Sequence, residues 1–300
     1  MAVRRYAFSQ WDVFASERLS GNPLAIFSDA DGLATAQMQR LARETNLSET
    51  AFVFRRPGEL ESARGVRVRI FTPEKELPFA GHPSLGVAMM LATAGHPSPV
   101  VLDLDGGRVG VEVDAPARFG EMRQMPARFL SRRGSEEIAP HLGLDAREIA
   151  ADVPCEVVWT GLAYLIVPVR SLDAARRILV DWRTATPFLA SLPEEPSLYV
   201  VTRETVDSGA RLHARCLDPE REDPATGSAA GCAAAWMVAN GIADAGERVV
   251  IEQGLEIGRP SRLFVRAARD GSGIGDVRVG GHAVEVLRGE YLVDVRDDHA

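Results

Sequence analysis

Three titratable side chains lie in contexts that could support acid–base chemistry: Glu49, His82 and Asp223. Glu49 comes just ahead of the apolar run over residues 51–54, which predicts a buried strand, so we expect it on the connection into that strand, a common place for working residues. His82 lies where a helix is predicted to begin, and Asp223 lies in the loop that leads into a second predicted helix. A base near a reacting carbon, kept away from water, favours proton movement at carbon.

Each of these residues has a structural alternative that the sequence leaves open. Glu49 could be a solvated loop carboxylate, since most lone glutamates are exposed. His82 could simply cap its helix, and Asp223 could be a turn residue before a proline. Ser228 is interpreted as a hydroxyl at a helix N-terminus and not as a nucleophile, because the Gly-x-Ser-x-Gly elbow is absent.

Two segments of the chain repeat the same residues at a spacing of 146 positions. Each is a loop with prolines and acidic residues, followed by a helix N-terminus and a helix that ends at a glycine. The coincident pairs are Pro73 with Pro219, Glu74 with Glu220, Pro78 with Pro224, Gly81 with Gly227 and Gly95 with Gly241. Five coincidences in one register predict a duplicated structural unit.

The two predicted helix N-termini are suited to binding an anion. The N–H groups of a first helical turn have no partner within the helix, and the helix dipole is positive there. If both N-termini face one central cleft, they would stabilise a substrate carboxylate or a developing enolate-like charge from both sides.

Hydrophobic periodicity predicts alternating strands and helices on both sides of a weak boundary near residue 127. A turn is predicted over residues 21–23, an amphipathic helix over 35–44 with Thr35 as N-cap, and a helix over 171–179 with Ser171 as N-cap. A helical stretch is predicted over 146–150. The predicted strands cover residues 6–14, 24–27, 51–54, 66–71, 100–104, 109–113, 164–167 and 198–202.

Composition excludes several classes of partner. With a formal net charge of −8 and a pI near 5.4, the 300-residue chain lacks the clustered positive surface that nucleic acid or an anionic membrane requires. We find no signal-peptide pattern and no apolar window near the roughly 18 residues of a membrane span. The odd number of widely spaced cysteines, Cys155, Cys216 and Cys232, indicates free thiols in a reducing cytoplasm.

Familiar cofactor motifs do not fit the sequence. Residues 81–86 have the glycine spacing of a phosphate loop, but Val87 and Ala88 replace the lysine and hydroxyl that it needs. No Gly-x-Gly-x-x-Gly follows a predicted strand, so no dinucleotide site is indicated. The acidic residues over 218–223 lack a calcium-loop register, and a solvated acidic loop accounts for most of them.

Several short blocks follow one another along the chain and together span nearly all of it. They are Gly21-Asn22-Pro23, Ser48-Glu49-Thr50-Ala51-Phe52, Phe71-Thr72-Pro73 leading to Gly81-His82, Asp223-Pro224-Ala225-Thr226-Gly227-Ser228, and Gln253-Gly254 with Gly258-Arg259-Pro260-Ser261. In this order they resemble the signature blocks of the phenazine-biosynthesis PhzF-like isomerases, and it is their combination that is specific.

This resemblance implies an α+β fold of the diaminopimelate-epimerase type. Such a fold has two pseudo-symmetric lobes, each a curled, mixed, mostly antiparallel sheet around a central helix, with the active site between them. The implied lobes cover residues 1–126 and 127–300, with the last strands able to return to the first lobe. The implied central helices are those that begin at Gly81 and Gly227.

The resemblance also implies a cytoplasmic, homodimeric isomerase that works on a small carboxylate-bearing substrate without metal, pyridoxal phosphate or nucleotide. In the phenazine enzyme the matching glutamate moves a proton between two carbons of dihydro-hydroxyanthranilate. Glu49 is then expected to be the general acid/base. The other residues carried over are His82 and Asp223, which would orient and polarise the substrate, and Gly81, Gly227 and Ser228, which would bind its carboxylate.

Two alternative functions stay open on the same scaffold. One is an epimerase or racemase of an amino or hydroxy acid, although a two-thiol racemase is disfavoured because Cys216 and Cys232 lie several residues from the matching positions. The other is a non-catalytic metabolite-binding protein. One departure from the family pattern, Pro83-Ser84 after the histidine in place of Ala-Thr, puts the detail of that helix start in doubt.

Overall fold

A computed structural model describes residues 2–271 and 273–295 as strands interrupted by helices. The described strands are β1 (Ala2–Val13), β2 (Asn22–Phe27), β3 (Glu49–Phe54), β4 (Val66–Phe71), β5 (Glu76–Leu77), β6 (Val100–Leu104), β7 (Gly107–Asp114), β8 (Phe119–Arg123), β9 (Arg128–Arg133), β10 (Cys155–Trp159), β11 (Ala163–Pro168), β12 (Ser197–Thr202), β13 (Leu212–Leu217), β14 (Glu222–Asp223), β15 (Val249–Gln253), β16 (Ser261–Asp270) and β17 (Gly273–Val295). The described α-helices are α1 (Thr35–Thr45), α2 (Gly58–Arg64), α3 (Gly81–Thr93), α4 (Ser135–Leu142), α5 (Leu172–Arg177), α6 (Trp182–Ala190) and α7 (Gly227–Ala239).

Contacts between Cα atoms divide the chain into two compact units. Unit 1 comprises the chain up to Met122 and from His282 onward, and unit 2 comprises Arg123–Gly281. The long strand β17 therefore begins in unit 2 and ends in unit 1. The sequence-based division into lobes of residues 1–126 and 127–300 is a separate one, drawn without contacts, and it stays a prediction.

Unit 1 is a mixed sheet around α3. The C-terminal part of β17 pairs antiparallel with β1, and β1 pairs antiparallel with β2. β2 then runs parallel to β3, β3 antiparallel to β4, and β4 parallel to β6, before the antiparallel pairs β6–β7 and β7–β8. The short β5 pairs with the end of β4. Because α3 is buried on nearly all sides, it forms the centre of this unit.

Unit 2 repeats this order of pairings around α7. β9 pairs antiparallel with β10, and β10 antiparallel with β11. β11 runs parallel to β12, β12 antiparallel to β13, and β13 parallel to β15, before the antiparallel pairs β15–β16 and β16–β17. The short β14 pairs with the end of β13, as β5 does with β4. α7 is buried almost throughout, as the predicted central helix requires.

The repeat predicted from sequence is therefore confirmed. α3 and α7 have 13 residues each, and Gly81 and Gly227 are their first residues. Each helix ends in the same way, because Gly95 (φ 96°) and Gly241 (φ 69°) adopt left-handed backbone conformations after the last turn. The N–H of His96 donates to the carbonyl of Leu91 at 3.0 Å, and the N–H of Ile242 donates to that of Met237 at 2.9 Å.

An arginine–glutamate pair closes the same hairpin in each unit. Arg69 Nε and Nη2 donate to the two carboxylate oxygens of Glu76 at 2.6 and 2.7 Å. In unit 2, Arg215 makes the same fork to Glu222 at 3.0 and 2.7 Å. Because both oxygens are bound in one plane, each fork fixes the short second strand against the first. The loop into each central helix therefore starts from a fixed point.

Several local predictions need correction. The N-cap of α1 is Ala34 and not Thr35, and the Gln37 side chain accepts the Ala34 N–H at 2.9 Å. Asn22 and Pro23 begin β2 instead of forming the turn, since they pair with Val13 and Asp12 of β1. The helical stretch predicted over residues 146–150 is a short 3₁₀ helix, Ala146–Glu148. In contrast, Ser171 caps α5 as predicted, through its Oγ and the N–H of Ala174 at 3.1 Å.

The predicted free cysteines are confirmed: Cys155, Cys216 and Cys232 are all buried and unlinked. In the described part of the chain, no helix combines the length and apolar character needed to cross a membrane.

Candidate active site

Glu49 is the first residue of β3 and not part of the preceding connection, which corrects the sequence prediction. The chain reaches it from the end of α1, where Asn46 (φ 52°) takes a left-handed conformation and its N–H donates to the carbonyl of Ala42 at 3.2 Å. The hydroxyls of Thr45 and Thr50 are 2.8 Å apart and fasten the end of α1 to β3. The backbone on both sides of Glu49 is thereby fixed.

His82 is the second residue of α3 and is buried. Ser84 Oγ donates to the carbonyl of Ala80 at 2.7 Å and closes the first helical turn around it. One turn later α3 approaches the sheet so closely that a Cβ at Gly86 would lie 2.5 Å from Leu24 Cδ2 and 3.0 Å from Val13 Cγ2. This close approach brings the histidine to the beginning of β3.

The structure brings Glu49 and His82 together in unit 1. His82 Nε2 lies 3.4 Å from Glu49 Oε2, and the two side chains are 6% and 17% exposed. Burial lowers the pKa of His82 to about 3. The imidazole is therefore neutral near pH 7, and the contact is not an ion pair. A neutral imidazole can donate to a carboxylate or accept from a carboxylic acid, so it suits either protonation state of its partner. We call these two residues the carboxylate–imidazole pair.

In unit 2, Asp223 belongs to β14 and faces the turn that leads into α7. The Thr226 hydroxyl donates to Asp223 Oδ2 at 2.5 Å. Thr226 is also the N-cap position of α7, in an extended conformation. The threonine therefore orients the carboxylate at the start of the helix.

Ser228 is the second residue of α7, the position that His82 holds in α3. Its Oγ lies 2.6 Å from the hydroxyl of Tyr164, which comes from β11. Tyr164 is itself only 6% exposed. We call Tyr164, Asp223, Thr226 and Ser228 the hydroxyl cluster, because three of its four members offer a hydroxyl group.

A buried glutamine supports this cluster from behind. Gln253 Nε2 donates to the carbonyl of Asp223 at 2.8 Å and to Thr226 Oγ1 at 3.0 Å. Its Oε1 accepts from the hydroxyl of Tyr199 at 3.1 Å and from the N–H of Thr226 at 3.3 Å. All four hydrogen-bonding positions of the amide are thus used, which leaves it one orientation.

The residues after Gln253 approach the same turn. Gly254 has φ 78°, and a Cβ there would lie 2.5 Å from the carbonyl oxygen of Pro224. Ser261 Oγ donates to that same carbonyl at 3.0 Å. The late glycine- and serine-containing block of the sequence therefore serves to hold the turn between Asp223 and Thr226.

The two helix N-termini differ in the N–H groups that they offer. The first N–H groups of a helix have no intrahelical acceptor. In α7 the three leading residues, Gly227, Ser228 and Ala229, all carry an N–H. In α3 only Gly81 and His82 do, because the third residue is Pro83. The N-terminus of α7 therefore offers one more backbone N–H group to an anion than the N-terminus of α3 does.

The predicted site residues thus fall into two groups, Glu49, His82 and Gly81 in unit 1 and Asp223, Gly227 and Ser228 in unit 2. Sequence reasoning does not find Tyr164, Tyr199 or the roles of Thr226 and Gln253. Across residues 2–271 and 273–295, no three or more His, Cys, Asp or Glu side chains are grouped so as to hold a metal ion.

Comparison with known proteins supports the family resemblance over nearly the whole chain. Residues 11–289 match the family model PhzC-PhzF, described as phenazine biosynthesis-like protein. The chain is 39% identical to an uncharacterised isomerase of Mesorhizobium japonicum, covering 98% of this chain and 100% of that one. It is 34% identical to a trans-2,3-dihydro-3-hydroxyanthranilate isomerase of Pseudomonas fluorescens, covering 94% and 98%.

A solved structure extends the likeness to the fold. The crystal structure of a PhzF-family phenazine biosynthesis protein of Bacillus anthracis has a TM-score of 0.85 to this chain at 27% identity, covering 97% of this chain and 100% of that one. The predicted fold class is confirmed. The chain therefore belongs to the phenazine biosynthesis-like PhzC-PhzF family and is, like these relatives, an isomerase.

Proposed function

We propose that the chain moves a proton between carbons of a small carboxylate-bearing substrate, with Glu49 as the general acid/base and without a cofactor. The observation that carries the proposal is the carboxylate–imidazole pair, in which a buried, neutral His82 lies 3.4 Å from Glu49. General acid–base catalysis needs a positioned side chain that takes a proton from the substrate and returns it. A carboxylate beside a neutral imidazole meets this need.

His82 has a positioning and polarising role in the proposal. Because burial keeps its pKa near 3, it does not take the proton as an imidazolium at neutral pH. Its Nε2 instead keeps the Glu49 carboxyl in one orientation while that group alternates between its charged and neutral forms. The net charge of the pair then changes only at Glu49, when its carboxylate gains the proton and when the carboxylic acid gives it back.

The hydroxyl cluster has the binding role. The N–H groups at the start of α7 and the Ser228 hydroxyl are donors, which suits the substrate carboxylate. Asp223 is an acceptor, so it orients a hydroxyl or amino group of the substrate. Gly81 and Gly227 contribute backbone N–H groups.

A two-thiol racemase is not favoured by the state of the cysteines. Burial raises the pKa of Cys216 well above its usual value and that of Cys232 to about 12. Both thiols are therefore protonated near neutral pH and are poor bases.

The proposal is tested by solvent deuterium incorporation. We suggest trans-2,3-dihydro-3-hydroxyanthranilate as the probe substrate, because the Pseudomonas relative is named for it. In D₂O, the native chain is expected to place deuterium on carbon, and Glu49→Gln is expected to bind the probe without exchange. Glu59→Gln, an exposed residue of α2, is the matched control and should behave as the native chain. Full exchange by Glu49→Gln would contradict the proposal.

A further inference from the structure

Tyr164 is a member of the hydroxyl cluster to which the proposed function gives no individual role. It lies in β11, within a run of buried residues, and its hydroxyl is 2.6 Å from Ser228 Oγ. In unit 1 the equivalent register position is Leu24, since Leu24 pairs with the first residue of β3 as Tyr164 pairs with the first residue of β12. Packing alone therefore accepts an aliphatic side chain at this position of the fold, and the phenol needs another explanation.

Tyr164 remains a phenol across the usual pH range. Burial, with a smaller contribution from Cys216, raises its pKa well above the ordinary value. A phenol that keeps its proton can donate it to Ser228 Oγ. The serine hydroxyl then accepts from the tyrosine, and its own proton is directed away from the phenol oxygen.

A second tyrosine keeps Tyr164 in place. The rings of Tyr164 and Tyr199 meet edge to face, with centroids 6.2 Å apart and planes at 68°. Tyr199 in turn donates to Gln253, which holds Asp223 and Thr226. The two tyrosines, from the parallel strands β11 and β12, thus support both sides of the start of α7. The equivalent position in β3 is Ala51, so unit 1 has no such pair.

We propose that Tyr164 is a positioning residue that holds the Ser228 hydroxyl with its proton directed toward a carboxylate oxygen of the substrate. This inference rests on the proposed function, in which Ser228 binds the substrate. It assigns the recognition of an oxyanion to a hydrogen-bond chain that runs from β11 through Ser228, in addition to the helix N-terminus.

A double-mutant cycle on binding tests the inference. All variants carry Glu49→Gln, so that trans-2,3-dihydro-3-hydroxyanthranilate binds without turnover, and its Kd is measured by calorimetry. Tyr164→Phe and Ser228→Ala are each expected to raise Kd about tenfold. The two together are expected to raise it no further than Ser228→Ala alone, because the tyrosine acts through the serine. Tyr6→Phe, another buried strand tyrosine, is the matched control and should leave Kd unchanged.

The outcomes separate this inference from the proposed function. If Glu49→Gln alone does not bind the probe, the proposed function fails and this inference fails with it. Two results would overturn only the inference, provided that Glu49→Gln alone binds the probe. One is a Kd raised about a hundredfold when Tyr164→Phe and Ser228→Ala are combined, and the other is an unchanged Kd with Tyr164→Phe. Tyr164→Leu, which copies the residue at position 24, replaces Tyr164→Phe if the latter does not fold. Unfolding of both variants would make Tyr164 a structural residue and would also overturn it.

Discussion

The two units share a scaffold and differ in the side chains placed on it. The order of strand pairings, the length of the central helix and the arginine–glutamate fork are the same in both. The polar positions differ: Glu49 matches Ser197, Leu77 matches Asp223, His82 matches Ser228 and Leu24 matches Tyr164. Duplication accounts for the scaffold, and the two copies diverge at a few positions around each helix N-terminus.

The direction of this divergence is consistent. Unit 1 places an acid–base group beside a buried imidazole, with aliphatic and small residues behind it. Unit 2 places hydroxyl groups and an oriented carboxylate at a helix N-terminus, with tyrosines and a glutamine behind them. The proposed function accordingly gives each unit its own task, proton transfer in unit 1 and binding of the polar substrate in unit 2.

Matched substitutions at the equivalent helix positions would break this comparison most sharply. His82→Asn is expected to lower kcat for the probe substrate by about 10² to 10³, because Glu49 loses the group that orients it. Ser228→Ala is expected to raise KM about tenfold and to leave kcat within about threefold, since it removes a binding contact. Steady-state kinetics separate the two effects. A loss of kcat with Ser228→Ala as large as with His82→Asn would remove the division of tasks.

The arginine–glutamate forks of the two units are expected to differ in how much they contribute to the free energy of unfolding. Arg215→Met is expected to lower the free energy of unfolding by about 3 kcal/mol, because it leaves the Glu222 carboxylate buried without its cation. Arg69→Met should cost about 1 kcal/mol, since that pair is more exposed, with side chains 20% and 27% accessible against 11% and 9%. Urea unfolding measures both values. Equal losses would show that burial does not set the strength of the two forks.

Two buried histidines should give opposite pH dependences of stability. Burial lowers the pKa of His82 to about 3, so below pH 6.5 the unfolded chain binds a proton that the folded chain does not. As the pH falls from 6.5 to 3, the free energy of unfolding then decreases by at most about 1.4 kcal/mol per pH unit. His82→Asn should make the free energy of unfolding less dependent on pH in this acidic range.

His213 of unit 2 has the reverse behaviour. Burial acts to lower its pKa, but the hydrogen bonds and charges of Glu256 and Glu252, at 3.0 and 2.9 Å, outweigh burial and raise it. Its stabilisation is therefore complete below pH 6.5 and is lost as the pH rises through the folded-state pKa. His213→Asn should flatten the alkaline limb in urea unfolding at several pH values. The same slope change in both variants would contradict these assignments.

The sequence predicts the repeat well because its marks are local. Glycine, proline and acidic residues around each central helix stay in register at 146 positions, and the structure places both helix starts there. Helices α4 and α6 are not predicted from the sequence, because Pro140 and Pro187 lie inside them and proline disfavours the interior of a helix. Strand β9 escapes because its residues are mostly polar and exposed.

The same distinction, between residues with a local sequence signal and residues without one, applies to the candidate site. Glu49, His82 and Asp223 are predicted as site residues because each lies in a recognisable block, and their roles stay predictions. Tyr164 is missed because it reads as part of a buried apolar strand, and its partner Ser228 is 64 residues away. A hydrogen bond across that distance leaves no pattern in the sequence. The predicted homodimer and cytoplasmic location stay predictions.

One measurement tests the central claim, that a single base in unit 1 performs the proton transfer and that its counterpart in unit 2 does not. It compares kcat/KM of Glu49→Gln and Ser197→Ala, the two residues that begin β3 and β12, with the same probe substrate. The account predicts a loss of about 10³ or more for Glu49→Gln and a change within about threefold for Ser197→Ala. Retained activity in Glu49→Gln, or a comparable loss in Ser197→Ala, would contradict it.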